Sequence, residues 1–323
     1  MVEVGYKLSA ETYGPKELIR QAIRAEAAGF DFVEISDHFH PWLNSQAHSP
    51  FAWSVLGAVA ASTERIHLAT GVTCPTVRYH PAIIAQAAAT VALISDGRFT
   101  LGVGSGERLN EHIVGPGFPA TVSERHSRLR EAVEIIRLLW SGDYHSYEGR
   151  YFQIADARIF DLPSDSPHIA IAAGGAQAAK LAGELGDALF ATEPKAAVVH
   201  AYRNEGGTGP KYAEVPVSWA ADEGDAVRAA HEKWRLALMG WKVMSELPNP
   251  VNFEAASTTV REEDIRRNFA CGTDLEHFVS AAKTFAHAGF DHIVLQNFGA
   301  DPDGFLDFCS GGLVDRVRAL PGQ

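Results

Sequence analysis

Along the chain, β-branched apolar runs recur, and between them lie segments whose apolar residues fall three and four positions apart. The runs are VEVGYKL (2 to 8), FVEIS (32 to 36), HLATGVTC (67 to 74), FTLGVGSG (99 to 106), HIAIAAGG (168 to 175), ALFATE (188 to 193), EVPVSWAA (214 to 221) and HIVLQNF (292 to 298). Each reads as a strand candidate. The intervening segments PKELIRQAIRAEAAG (15 to 29), PAIIAQAAATVALIS (81 to 95), VSERHSRLREAVEIIRLLW (122 to 140) and LEHFVSAAKTFAHAGF (275 to 290) read as amphipathic helices. Strand and helix alternate, as βαβ units require. Gly-Phe-Asp ends a helix and opens a strand in both AAGFDFVEIS and HAGFDHIVLQ, where a C-cap glycine would turn the chain back. Eight such units predict an α/β fold, a (β/α)8 TIM barrel, with residues 1–323 as one domain.

Two stretches exceed ordinary loop length. Residues 141 to 167 are aromatic and turn-rich and predict a small hairpin before the fifth strand. Residues 237 to 273 form an insertion between strands seven and eight that reads as partly helical. Both carry large apolar side chains that need burial, so neither is a linker.

Composition narrows the function. Twenty-eight Lys and Arg against 40 Asp and Glu give a formal charge of −12, which disfavours nucleic acid as a partner and requires any anionic ligand to be held by a few placed cations. Cys74, Cys271 and Cys309 are far apart with no C-x-x-C pair, as expected of a cytoplasmic protein without a disulfide framework. No signal-like N-terminus and no apolar run of about 18 residues occurs, so no membrane partner is expected.

In such barrels the chemistry sits at the C-terminal strand ends. The polar residues there are Ser9 and Glu11 after strand one, Asp37, His38, His40 and Trp42 after strand two, and Cys74, Thr76 and Arg78 after strand three. Glu107 and Asn110 follow strand four, Gly174 and Gly175 strand five, and Thr192 and Lys195 strand six. Asp37-His38-Phe39-His40 crowds possible metal ligands, but on an extended segment at most two point together, and no metal site is expected. An acid/base reading needs only His38 as proton acceptor near neutral pH, with Glu107 as acid or orienting group. Beside it stands a plain loop, in which Asp37 caps a helix, His38 is a satisfied histidine and Trp42 is loop core.

GVGSGERLNE (102 to 111) lacks the full G-x-G-x-x-G fingerprint of a dinucleotide site. The glycines of AAGG (172 to 175), which open a helix at Ala176, would let backbone N–H groups approach a phosphate, or simply make a tight turn. Lys195, Lys242 in the insertion, and Arg267 could clamp a phosphate at the barrel mouth or could be solvated surface cations.

SDHFHPW, TGVTCPTVRYHPAIIAQA, GVGSGERLNE and YFQIADARIFDLP, followed by AAGG, resemble the luciferase-like, F420-dependent oxidoreductases, and among them the F420-dependent glucose-6-phosphate dehydrogenases. The resemblance runs from GYKLSAE to the last helix, with a diverged stretch around residues 196 to 240. It implies a homodimeric barrel that binds coenzyme F420 over the strand ends. Asp37, Gly71, Val72, Cys74, Asn110, Gly174 and Gly175 would then contact the coenzyme, with a cis peptide at Gly71-Val72 behind its ring. His38 would be the base for the C1 hydroxyl of a sugar phosphate while hydride passes to C5 of the deazaflavin. Glu107 would be the acid near the coenzyme's N1, and Trp42 a wall beside the reacting carbon. Glu11, Thr192, Lys195, Lys242 and Arg267 would bind substrate, the last three as the phosphate clamp.

The chain departs from that pattern at His40, where the sugar-phosphate enzymes carry Gln, at Gly71-Val72 for Ser-Val, at Cys74 for Thr, and at Val243 for the His after the phosphate-binding lysine. These changes bear on the substrate rather than on the coenzyme. Two alternatives follow: an F420-dependent alcohol or hydroxy-lipid dehydrogenase on the same barrel, and a non-catalytic deazaflavin- or flavin-binding protein.

Overall fold

In the computed structural model, which describes residues 1–115 and 117–322, eight parallel strands close into a barrel. They span Glu3–Leu8, Phe32–Ile35, His67–Thr70, Phe99–Val103, His168–Ala172, Ala188–Ala191, Lys211–Trp219 and His292–Asn297. Each pairs with the next, and the eighth returns to the first through Glu3↔His292 to Tyr6↔Leu295, so the sheet has no free edge among these eight. All eight runs read as strands are strands. The seventh starts at Lys211 rather than 214, because Asp291 Oδ1 accepts the Lys211 N–H at 2.7 Å and extends the pairing.

The period of two explains why the runs look continuously apolar. Val4, Tyr6, Leu8, Val33 and Ile35 point outward into the layer beneath the helices. Phe32, Ala170, Ala188, Phe190, Tyr212 and Val294 fill the barrel interior.

Helices Pro15–Ala27, Pro81–Ile94, Val122–Trp140 and Leu275–His287 fall where the apolar spacing predicted them. Proline at the first position starts the first two. Thr121 and Asp274 cap the others, each side chain accepting a backbone N–H of the first turn. Gly29 and Gly289 end their helices at φ of 87° and 103°, a conformation that glycine adopts without a Cβ penalty. The aspartates two residues later accept backbone N–H groups of the neighbouring strands, Asp31 from Val4 and Asp291 from Lys211. Gly-Phe-Asp is therefore a combined helix stop and strand clip.

Residues 145–148 and 153–157 form the expected antiparallel hairpin. The Glu131 carboxylate pins its turn by accepting the N–H groups of Arg150, Tyr151 and Phe152. The insertion before the eighth strand is built of short helices, Trp241–Met244, Pro250–Ala256 and Glu262–Asn268. It ends in a strand, Ala270–Gly272, that pairs parallel with Val217–Trp219 and that the apolar pattern did not single out, since three residues carry no period. Trp42, Leu43, Leu109, Leu236, Met244 and Phe253 form a separate apolar cluster that docks the insertion onto the loops after strands two and four. The insertion thereby roofs one side of the barrel mouth.

Candidate active site

Above the strand ends lies a cavity of about 740 Å³ lined from all sides of the barrel. That volume is within the range of about 300–1,000 Å³ usual for small-molecule sites. Glu11, His38, Trp42, Gly71, Val72, Cys74, Glu107, Gly174, Gly175, Thr192 and Lys242 all line it, so residues spread over 232 positions of sequence meet at one place.

His38 is held from three directions. Its Nδ1 lies 2.7 Å from Glu11 Oε1, the two side chains being 12% and 5% exposed. Its carbonyl accepts Ser49 Oγ at 2.8 Å, and its ring meets the edge of Trp42 at 5.0 Å between centroids. Burial alone would lower the His38 pKa, but the Glu11 carboxylate, aided by Glu107, more than offsets it and the pKa is raised. Burial would raise Glu11, yet His38 and then Lys7 hold it down to about 2. With Nδ1 facing Glu11, Nε2 is the ring nitrogen left for a ligand.

Asn110 couples the two sides of the proposed chemistry. Its Oδ1 accepts the N–H groups of Phe39 and His40 at 2.7 and 2.9 Å, and its Nδ2 donates to Glu107 Oε1 at 2.6 Å. One amide thus fixes the loop after strand two and aims Glu107. Asn110 itself does not line the cavity.

Asp37, expected against the coenzyme, is also off the cavity wall. Its carboxylate accepts from Thr73 Oγ1 at 2.7 Å, from Tyr79 at 3.0 Å and from Arg78 at 3.2 and 3.3 Å. The loops after strands two and three are knitted together there. His40, a candidate metal ligand by residue type, turns its Nδ1 to the Leu109 carbonyl at 3.3 Å, away from the His38 pocket.

The three cations do not converge. Lys242 is on the wall, whereas Lys195 is half-exposed and pairs with Glu193, a wall residue. Arg267 is exposed on helix Glu262–Asn268 and off the wall. A cation on helix Val122–Trp140 that the sequence did not single out lines the cavity as well. Arg125 is buried on the wall, stacked 3.9 Å from the Phe118 ring and paired with Glu246 at 2.7 Å.

The wall opposite His38 is bare backbone. A Cβ at Gly104 would lie 2.8 Å from Val72 Cγ2, and one at Gly174 would press the Trp241 ring at 3.4 Å. Gly71, Gly104, Gly106, Gly174 and Gly175 all line the cavity, so that part of its surface is backbone, and at the first three a side chain would collide with Glu34, Val72 or Glu111. The Gly71-Val72 peptide is cis, as the resemblance implied. Behind Gly175, helix Ala176–Leu185 turns its first N–H groups to the cavity, which suits an anionic group. A glycine-lined wall, a helix N-terminus and a buried histidine–carboxylate pair thus meet in one cavity. Lys7 and Glu214 also reach the cavity, from inside strands one and seven.

Fold and site define a TIM-barrel protein with a glycine-lined pocket at the strand ends and a buried Glu11–His38 pair on its wall. The chain belongs to the family described as luciferase-like monooxygenase, whose family model matches residues 2–292. It is 38% identical to an F420-dependent glucose-6-phosphate dehydrogenase of Nocardia farcinica and 36% identical to one of Segniliparus rotundus, over 99% of both chains in each case. Among solved structures, an F420-dependent secondary alcohol dehydrogenase in complex with an F420-acetone adduct superposes with a TM-score of 0.91 at 32% identity, covering 98% of this chain and 99% of that one. A coenzyme F420-dependent tetrahydromethanopterin reductase of Methanopyrus kandleri shares the fold, with a TM-score of 0.77 at 22% identity.

Proposed function

We propose that the chain is an F420-dependent dehydrogenase that oxidises the C1 hydroxyl of a sugar 6-phosphate, glucose 6-phosphate foremost, to the lactone. The observation that carries the chemistry is the Glu11–His38 pair, 2.7 Å apart at the wall of the glycine-lined cavity. Relatives named as F420-dependent glucose-6-phosphate dehydrogenases over the full chain support the substrate. F420 supplies the hydride acceptor when bound. His38 Nε2 takes the hydroxyl proton, Glu11 stabilises the imidazolium that results, and the carbon that loses hydride becomes the carbonyl. Trp42 walls the pocket beside that carbon, and Glu107, aimed by Asn110, is the acid on the coenzyme side. Gly71, Val72, Cys74, Gly174 and Gly175 hold the coenzyme, with Asp37 supporting them through the strand-three loop. Thr192 and Lys242 bind the sugar phosphate, with Lys195 and Arg267 as the outer members of the clamp.

A second reading, oxidation of an unphosphorylated secondary alcohol by the same residues, is favoured by the position of Arg267 off the wall and the pairing of Lys195 with Glu193. Mixing the protein with oxidised F420 and following the coenzyme's visible absorbance separates the two. Bleaching with glucose 6-phosphate but not with 2-propanol supports the first, and the reverse supports the second. F420 binding without bleaching by any alcohol would leave a coenzyme-binding protein without dehydrogenase activity.

We further propose that the chain works as a single-domain homodimer in the cytoplasm. Helices Ala52–Ser62 and Pro81–Ile94 carry no charged residue, yet Phe51, Ile83, Leu93 and Ile94 beside and on them are exposed. A surface helix ordinarily has a charged face, so a second copy is the natural cover. Sedimentation of Ile83→Asp as a monomer, against a dimeric wild type, tests this. The three free, buried cysteines fit a reducing compartment, and no helix among the described residues is long and apolar enough to cross a membrane.

A further inference from the structure

Three ionisable side chains that the proposed chemistry does not use meet at the floor of the cavity. Lys7 comes from the first strand, Glu34 from the second and Glu214 from the seventh. Lys7 Nζ donates to Glu34 Oε1 at 2.5 Å, to Glu214 Oε1, and to the carbonyl of Gly71 at 3.0 Å. The Lys7 and Glu34 side chains are 2% and 0% exposed. One layer deeper the interior is Phe32, Ala170, Ala188, Tyr212 and Val294, as a barrel core ordinarily is. Replacing buried ion clusters by apolar side chains is often neutral or stabilising, so stability alone does not account for these three.

What they hold is Gly71. A Cβ on Gly71 would lie 2.0 Å from Glu34 Oε1 and 2.2 Å from its Cδ, so Glu34 occupies the space of any side chain at that position. Lys7 fixes the carbonyl of the same residue, and the chain then runs directly into Val72 and Cys74 on the cavity wall. Val72 cannot retreat either, because Gly104 backs it closely enough that a Cβ there would fall 2.8 Å from Val72 Cγ2. The flat wall is thus clamped from beneath and behind.

We propose that Lys7 and Glu34 are positioning residues for the coenzyme, with Lys7 anchoring the Gly71 carbonyl and Glu34 and Gly71 forming a sterically matched pair that sets the wall on which the ring rests. The inference rests on the F420 reading and deepens it. It assigns a role to the site where the chain departs from the Ser-Val of the sugar-phosphate enzymes it resembles: Gly71 is glycine because Glu34 lies under it.

The test is a cycle of wild type, Glu34→Ala, Gly71→Ala and Glu34→Ala/Gly71→Ala, with Lys7→Met beside it. Each is checked for folding by circular dichroism, melted, and titrated with oxidised F420 by fluorescence. Gly71→Ala should weaken F420 binding by about tenfold or more, and the double variant should return to within about threefold of Glu34→Ala, a non-additivity expected only of touching residues. Lys7→Met should weaken F420 binding far more than it changes the KM for the alcohol. Wild-type affinity in Gly71→Ala, or no recovery in the double variant, overturns the matched pair, and unchanged affinity in Lys7→Met overturns the anchor. Should Gly71→Ala not fold, a folded double variant with the affinity of Glu34→Ala supports the pair and an unfolded one overturns it. If wild type itself does not bind F420, the coenzyme reading fails separately. The pair is then judged on melting temperatures, where Glu34→Ala must relieve the loss caused by Gly71→Ala.

Discussion

The barrel mouth and the barrel floor each hold a buried carboxyl beside a nitrogen base, and the two behave in opposite ways. At the mouth, Glu11 is 4% exposed and faces His38, which with Lys7 holds it down to about 2 despite its burial. At the floor, Glu34 is 0% exposed, and burial, reinforced by Glu214, lifts its carboxyl well above the usual range although Lys7 opposes the shift. Burial pushes both carboxyls up; at Glu11 the charges of His38 and Lys7 outweigh it, and at Glu34 it prevails with Glu214 beside it. The bases differ correspondingly. Burial would lower the Lys7 pKa, but Glu214 and Glu34 more than offset it, so its ammonium keeps its proton. Histidine titrates within reach of neutral pH, and His38 can give its proton up. The mouth pair is therefore suited to move a proton and the floor cluster to hold backbone.

The largest effect that would break this contrast is on turnover. His38→Ala should lower kcat for alcohol oxidation by roughly 10²- to 10⁴-fold, with F420 affinity unchanged, the converse of Lys7→Met. Single-turnover reduction of F420 beside a binding titration reads both, and a parallel loss of affinity would erase the distinction. Next is Trp42→Ala. Trp42 is 5% exposed and wedged between His38 and Phe253, at 5.0 and 5.2 Å between ring centroids, so it links the mouth to the insertion. Urea unfolding should show a loss of about 3–5 kcal/mol. A loss under about 1 kcal/mol would mean that the insertion does not depend on that wedge. Smaller is Lys242→Ala, expected to raise the KM for glucose 6-phosphate about tenfold through one lost charged hydrogen bond. Lys195→Ala should do less, since Glu193 already holds that ammonium, and Arg267→Ala least. Equal effects from all three would show that Lys195 and Arg267 reach the phosphate as Lys242 does.

The eight strands were legible because both faces of each are buried, which turns a period of two into an unbroken apolar run. The mouth residues were legible because they follow those runs directly. The floor cluster was not, for the same reason: Lys7, Glu34 and Glu214 stand inside VEVGYKL, FVEIS and EVPVSWAA, where a single polar residue looks like a sheet position facing solvent. Phase held the missing signal, since Lys7 alternates with Val4, Tyr6 and Leu8, and Glu34 shares the inward face of Phe32. The Lys7–Glu214 link, 207 positions long, has no local trace. The surroundings of Asp37 were hidden differently, for its partners Thr73, Arg78 and Tyr79 lie on the next strand end, where the chain shows that they follow strand three but not which way they point. Arg125 sits among charged helix positions in VSERHSRLREA, and its burial against Phe118 and Glu246 has no local trace there.

The finest test of the contrast is the pH dependence of Glu11→Gln. In the folded protein the His38 pKa is raised, so the stability it contributes is fully present below the ordinary histidine value of about 6.5 and is lost as pH rises through the raised value. Glu11 runs the other way, contributing above the ordinary glutamate value of about 4.3. That contribution is lost as pH falls toward about 2. Glu11→Gln removes both contributions, so the gap in melting temperature between wild type and variant should be widest between about pH 4.3 and 6.5 and should narrow on either side. Activity shifts as well, because oxidation needs His38 without its proton. The acid limb of kcat/KM should lie above the ordinary histidine value in wild type and move to lower pH in Glu11→Gln. A limb at the same pH in both would mean that His38 is not the titrating base. Glu107, which Asn110 holds at that wall, would then be the next residue to test as the base, and with it the assignment of the two sides of the pocket would reverse.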